Sequence, residues 1–316
     1  MYRSSVSRRV AMKTGAAAAL GLALGKSHSL AAQATLPLIT KPIPSTGERI
    51  PVIGLGTNAY SVNTPEQIAP LREVIQRMGQ LGGTVIDTAR AYGRSEAVIG
   101  EILAGLGNRK QFFIASKTPI GGDFSNPQAV LDVSFNALKV DTIDLMQIHM
   151  FNGTDAMMPV FEKAKAAKRI RYIGISTSSD NQYPQLIAAM KQYPLDFVQV
   201  DYSIENRNAA ESVLATALER KVGVLINVPF GGRGRGAANT FGKTKGRELP
   251  PFAKEFDAAT WAQFFLKYIV SHPAVTVTIP GTTQRRNVED NQGGGRGRLP
   301  DAAMRAQMEK YWDSLA

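Results

Sequence analysis

The chain has 316 residues, 44% of them hydrophobic and 20% charged, enough to bury a full core as one large α/β barrel or two small domains. It contains no cysteine, which excludes disulfides, thiolate nucleophiles and cysteine-ligated metals, and its 3 histidines, His28 near the N-terminus among them, are too few for a histidine-rich metal site. The formal charge of +11 falls to +6 once the five basic residues of 1–34 are set aside. That modest excess suits a small anionic ligand and does not argue for nucleic acid.

The N-terminus reads SRRVAMK, then the small apolar run TGAAAALGLALG, then SHSLAAQA with an Ala-x-Ala pattern at Ala32-Gln33-Ala34. A basic region, an apolar region and a small-residue cleavage pattern make residues 1–34 a signal peptide by expectation. Ser7-Arg8-Arg9 with Lys13 resembles the signal read by the twin-arginine export machinery, although Ala11 stands where a bulky residue is usual. The apolar run is about half the ~20 residues a membrane span needs, so no stable span is expected. The expected location is therefore periplasmic or secreted. The alternative is a cytoplasmic protein with a disordered basic tail.

From Thr35 a small hairpin around Ser45-Thr46-Gly47 leads into a first strand at Val52–Thr57. Seven further apolar runs follow: VID (85–87), FFIAS (112–116), IDLMQI (143–148), RYIGIS (171–176), FVQVDY (197–202), VGVLINV (222–228) and VTVTIP (275–280). They are continuous rather than alternating, as expected of strands buried on both faces. Helical periods lie between them, among them IAPLREVIQRMGQL, EAVIGEILAGL, AVLDVSFNALK and ESVLATALERK. Eight such units over 35–316 predict one (β/α)8 barrel, with a doubly wound open sheet as the alternative. Gly54-Leu-Gly56-Thr57 is no dinucleotide fingerprint, because it lacks a third glycine and a following helix. PDAAMRAQMEKYWDSLA predicts a closing outer helix capped by Asp301. Two Gly/Arg patches, 231–236 and 293–298, read as solvated turns, since RNA-binding segments of that composition are longer and repeated.

Asp87, Tyr92, Lys117 and His149 each fall at or just past the end of a predicted strand. In a parallel barrel those ends share the face that carries the chemistry. A carboxylate, a phenol, an ammonium and an imidazole converging there suit proton delivery to a carbonyl. Taken singly, each has an ordinary reading as a cap, a turn residue, a strand end or a core histidine.

GLGT (54–57), IDTARAYGRSEAVIGEIL (86–103), SK (116–117), DLMQIH (144–149), YIGIS (172–176), Gln199 and IPGT (279–282) occur in the order found in aldo-keto reductases. On these pieces the chain resembles that superfamily over nearly all of 36–316. The resemblance implies that Tyr92 is the general acid, Lys117 the cation that favours its phenolate, Asp87 the partner of Lys117, and His149 the group that orients the carbonyl. It also implies NADP(H) as hydride source, with NAD(H) as the alternative, and no metal. Gly56, Thr57 and Asp87 would border the cofactor, Ser176, Thr177 and Gln199 would meet its carboxamide, and Asn227, Pro229, Phe230 and Gly231 would flank the nicotinamide. Asn227 stands where the family usually places a stacking aromatic. Gly281, Thr282 and Asn287 belong to the loop that holds the adenosine phosphate, where Arg285 and Arg286 could take a 2′-phosphate. Asp290 and Asn291 would reach the adenine. Tyr60, Met150 and Phe151, with Tyr92 and His149, would line the substrate pocket. The implied function is NADP-dependent reduction of aldehydes or ketones. The alternative is a non-enzymatic nucleotide-binding barrel serving as a redox sensor or partner subunit.

Overall fold

A computed structural model describes residues 35–232 and 240–315. The expected signal at 1–34 and positions 233–236 of the first Gly/Arg patch lie outside the described residues.

Eight parallel strands follow one another in chain order around a barrel: β3 (Leu55–Gly56), β4 (Val85–Asp87), β5 (Phe113–Lys117), β6 (Ile143–His149), β7 (Ile170–Ser176), β8 (Phe197–Asp201), β9 (Gly223–Asn227) and β10 (Val277–Thr278). The first and last strands meet through parallel bridges at Ile53–Thr278 and Gly56–Gly281. At that seam Gly54 N–H donates to Thr278 O at 2.8 Å and Thr278 N–H donates to Val52 O at 3.0 Å. The backbones come so close that a Cβ on Gly56 would lie 2.8 Å from Ile279 O. The Gly-Leu-Gly stretch thus serves barrel closure.

Side chains alternate between the barrel interior and the helix layer, as the two-residue period of a strand requires. Val85, Phe113, Ala115, Leu145, Tyr172, Phe197, Leu225 and Val277 pack inside as one cluster. Ile86, Ile114, Met146, Ile148, Ile173, Ile175, Val198 and Val224 face the helices. The predicted hairpin, β1 (Thr40–Pro42) with β2 (Arg49–Pro51), sends Ile43 and Ile50 into the interior cluster and closes the N-terminal end of the barrel. Two aspartates pin strand register there. Asp144 accepts from Ile114 N–H at 2.8 Å and Asp196 from Ile173 N–H at 2.9 Å.

The outer layer contains α1 (Pro65–Gln80), α2 (Ser95–Leu106), α3 (Pro127–Leu138), α4 (Thr154–Ala166), α5 (Tyr183–Gln192), α6 (Ala215–Arg220), α7 (Thr240–Thr244), α8 (Trp261–Val270), α9 (Arg285–Gly293) and α10 (Ala302–Asp313). Thr64 and Gln67 form a reciprocal capping box at the start of α1, with Pro65 at its first position. Asp301 caps α10 by accepting from Met304 N–H at 2.8 Å, as expected, and Met308 and Trp312 bury that helix's inner face. The helix expected over 211–221 begins instead as a π-turn at Ala210–Leu214 before α6. The segment after β10, read from sequence as a loop, winds into α9 because Val288, Asn291 and Gln292 bury one face of it. Among the described residues no helix is long and apolar enough to cross a membrane.

Gly56→Ala should destabilise the barrel by about 1–3 kcal/mol through overpacking at the seam, measured as a lower midpoint in urea unfolding.

Candidate active site

Each of the four expected residues reaches the C-terminal face by its own element. Asp87 ends β4, Lys117 ends β5, His149 ends β6, and a single 3-10 turn, Arg90–Tyr92, raises the phenol beside them. Lys117 Nζ lies 2.6 Å from Asp87 Oδ1 and donates to Thr88 O at 2.7 Å, with both side chains almost wholly buried. The same nitrogen stands 5.1 Å from the centre of the Tyr92 ring. Tyr92 and His149 meet edge to face with ring centres 6.3 Å apart. The four side chains that strand order suggested do converge.

The electrostatics follow from burial. Desolvation works against the Lys117 ammonium, but Asp87 and the Tyr92 oxygen outweigh it and hold the group above an ordinary lysine. Burial raises Asp87, partly offset by Lys117, Gln199 and Gln147. Burial, reinforced by the Lys117 charge, pushes the His149 imidazole down to about 4, so it is neutral at physiological pH. Its Nδ1 is buried without a partner, while its backbone N–H is fixed by Thr118 Oγ1 at 3.0 Å.

Beneath this group lies a buried hydroxyl chain. Thr57 Oγ1 donates to Asp87 O at 2.8 Å, Ser95 Oγ donates to Thr57 O at 3.0 Å, and Thr88 Oγ1 lies 2.9 Å from Ser95 Oγ. It anchors the backbone whose Thr88 carbonyl receives Lys117. Glu96, also buried and raised by burial, accepts from Ser116 Oγ at 2.5 Å and faces Arg90 at 3.8 Å.

A cavity of about 520 Å³ opens over Asp87, Tyr92 and His149. Of the expected cofactor contacts, Gly56, Thr57, Ser176, Gln199, Asn227, Pro229, Phe230, Gly231 and Gly281 line it. Gln199 Oε1 and Asn227 Oδ1 are buried there without a donor. Asn227 Nδ2 is spent on Thr177 O at 3.1 Å, which turns Oδ1 away as the free acceptor. Phe230 stands in the wall against Phe241, ring centres 4.9 Å apart.

Other expected residues are placed differently. Thr177 is fully buried and donates to Gln182 at 2.5 Å, outside the cavity wall. Tyr60 is a core residue, 0% exposed, whose hydroxyl donates to Thr282 O at 3.1 Å, so it does not line the pocket and burial raises it. Met150 and Phe151 both take positive φ, 50° and 63°, and neither belongs to the cavity wall. Phe151 borders a separate hollow between α4 and α5 instead. Asp290 accepts from Thr260 Oγ1 at 2.8 Å and Gln263 Nε2 at 2.9 Å, a commitment to the start of α8. Asn291 is buried in α9. Arg285, Arg286 and Asn287 are exposed in the first turn of α9, where Arg285 pairs with Glu289 at 3.2 Å and Arg286 donates to Gln284 at 2.9 Å.

Asn58, Ser178, Val228, Gly232 and Ile279 line the cavity without having been expected. Ser178 was legible, because continuing the two-residue period of β7 from Ser176 skips Thr177 and points Ser178 the same way. Val228 was not, since it enters the wall through a positive φ of 49° that a β-branched residue rarely adopts.

A family model described as "Aldo/keto reductase family" matches residues 52–311. The chain belongs to this family. It is accordingly an oxidoreductase, and the sensor alternative falls behind. Among curated relatives, this reductase is 27% identical over 303 residues to "Aldo-keto reductase yakc [NADP(+)]" of Schizosaccharomyces pombe, covering 82% of the chain and 87% of the relative. It is 32% identical over 207 residues to "Aldo-keto reductase YhdN" of Bacillus subtilis, covering 58% of the chain and 60% of the relative. Among solved structures, an aldo-keto reductase from Klebsiella pneumoniae in complex with NADPH superposes with a TM-score of 0.69 at 20% identity, covering 87% of this chain and 96% of that one. That likeness concerns the fold.

Because the folded His149 value lies below the 6.5 of a free imidazole, the unfolded chain takes up the proton first. Stability should be full above pH 6.5 and decline as pH falls toward about 4. His272, also lowered to about 4, adds to the decline. His149→Gln should reduce the loss between pH 7 and 5, measured by urea unfolding at both pH values.

Proposed function

We propose that this aldo/keto reductase uses NADP(H) to interconvert an aldehyde or ketone and its alcohol at the cavity above Tyr92 and His149. The observation that carries the reading is the buried ion pair beside a phenol that faces the cavity. The residues present fit a nicotinamide. Its carboxamide offers N–H donors, and Gln199 Oε1 and Asn227 Oδ1 are buried acceptors in need of them, with the Ser176 hydroxyl alongside. Gly56, Gly231, Gly232 and Gly281 leave a wall of bare backbone against which a flat ring can lie. When bound, the reduced cofactor supplies hydride to the carbonyl carbon.

The chain's own groups handle the proton. Tyr92 Oη delivers it to the carbonyl oxygen, and the neighbouring Lys117 ammonium stabilises the charge left on the phenol oxygen. Asp87 and Thr88 O hold Lys117 in place. His149, neutral at the working pH, presents an imidazole edge that hydrogen-bonds the carbonyl oxygen and sets its angle. The cation that supports Tyr92 sits in a dry site, where its field is weakly screened.

At the outer end, Arg285 and Arg286 are proposed to pair with a 2′-phosphate, which favours NADP(H) over NAD(H); "NADP(+)" stands in the name of the S. pombe relative. The RR-containing leader motif supports export as the proposed destination, with the cofactor carried in the folded protein.

Tyr92→Phe should lower turnover of a reactive aldehyde about 10²–10⁴-fold, the range for a lost general acid. NADPH affinity, followed by quenching of protein fluorescence, should stay within about threefold of wild type. Full turnover in the variant would overturn the assignment of Tyr92.

A further inference from the structure

The upper layer of the barrel interior holds one polar residue that the proposed reaction does not use. Gln147 lies on β6 two residues before His149, so its side chain shares the inward face, and its backbone is in register with Lys117. It is 0% exposed and does not line the cavity. Both its amide atoms are buried and unpartnered, and so is Asp87 Oδ2, the carboxylate oxygen that Lys117 leaves free. Gln147, like Gln199 on β8, also lies close enough to Asp87 to favour its ionised form. Room for the side chain is made by Gly174 on β7, where a Cβ would come 3.1 Å from Gln147 Cγ. An amide costs free energy when buried without partners, so a glutamine kept at this depth needs an acceptor for its N–H, and a carboxylate oxygen is the strongest one at hand.

We propose that Gln147 is a positioning residue for the reaction, whose Nε2 amide donates to Asp87 Oδ2 and keeps Oδ1 directed at Lys117. The inference rests on the reading that Tyr92, supported by Lys117, is the proton donor. The charged and titratable groups around the pair are Lys117 on β5, Arg90 and Tyr92 on the 3-10 turn, Glu96 on α2 and His149 on β6. With Gln147 gone and Gln199 the one amide left to favour its ionised form, Asp87 becomes a stronger base and draws the shared proton from Nζ. The cation beside Tyr92 weakens, the phenolate is less favoured, and the proton donor holds its proton to higher pH.

The test is the pH profile of carbonyl reduction with NADPH for wild type, Gln147→Leu, Gln147→Glu and Tyr92→Phe. For Gln147→Leu the alkaline limb should move up by roughly one pH unit, with kcat down about tenfold and NADPH affinity within about threefold of wild type. Gln147→Glu should act like wild type at acidic pH, where its buried acid is protonated and donates as the amide does. It should lose activity at lower pH than wild type, as that acid ionises beside Asp87. A structural role alone would scale the profiles without moving their limbs, and unmoved limbs in both variants, with Tyr92→Phe inactive, would overturn the role of Gln147 alone. An active Tyr92→Phe would overturn the reading beneath it. Should both Gln147 variants misfold, the side-chain amide of Gln147 in wild type still decides. One proton shifted downfield and protected from exchange in ¹⁵N-glutamine-labelled protein supports the bond to Asp87, and an unshifted, freely exchanging pair refutes it.

Discussion

The ion pair between Lys117 and Asp87 is the constraint on which the active face depends. Two opposite charges stripped of water cost several kcal/mol each, and their attraction offsets that only with close geometry and further hydrogen bonds. The structure provides both: a 2.6 Å contact and a 2.7 Å donation to Thr88 O. The Thr57, Ser95 and Thr88 hydroxyls then tie down the chain that carries Asp87 and that carbonyl. The ammonium so held stands 5.1 Å from the centre of the Tyr92 ring, the phenol nearest to its field.

The rest of the site follows from how the barrel is layered. Apolar side chains fill the lower interior and polar ones the top, where Asp87, Lys117, Gln147, Ser176, Gln199 and Asn227 come from six successive strands. Of its unpartnered acceptors, Gln199 Oε1 and Asn227 Oδ1 belong to residues of the cavity wall that no donor in the structure occupies. Such a layer is suited to ligand groups that bring N–H donors. Asn227 gives the layer a different character from an aromatic wall, because it brings an unpartnered amide oxygen to the cavity.

Strand ends were the most legible feature of the sequence. Continuous apolar runs place Asp87, Lys117 and His149 at the C-terminal face, and the short span from Asp87 to Tyr92 keeps the phenol near them. What one-dimensional pattern could not show was commitment to other partners. Thr177, Tyr60 and Asp290 all carry suitable polar groups, but Gln182, Thr282 and the start of α8 occupy them. Backbone conformation hid the rest. Positive φ at Met150 and Phe151 turns the chain after His149 aside, and positive φ at Val228 brings an unexpected residue into the wall. The seam explains Gly54 and Gly56 by close backbone approach, a reason that spacing alone does not reveal.

The central claim is hydride transfer from NADPH to a carbonyl carbon over Tyr92. It is tested most directly by incubating the protein with an aldehyde and NADPH carrying deuterium at both C4 positions, then analysing the alcohol by mass spectrometry. The account predicts one deuterium bound to the carbinol carbon, with none acquired there from solvent. An alcohol formed without that label would contradict it, as would the absence of alcohol across a panel of reactive aldehydes and ketones by a protein that binds NADPH.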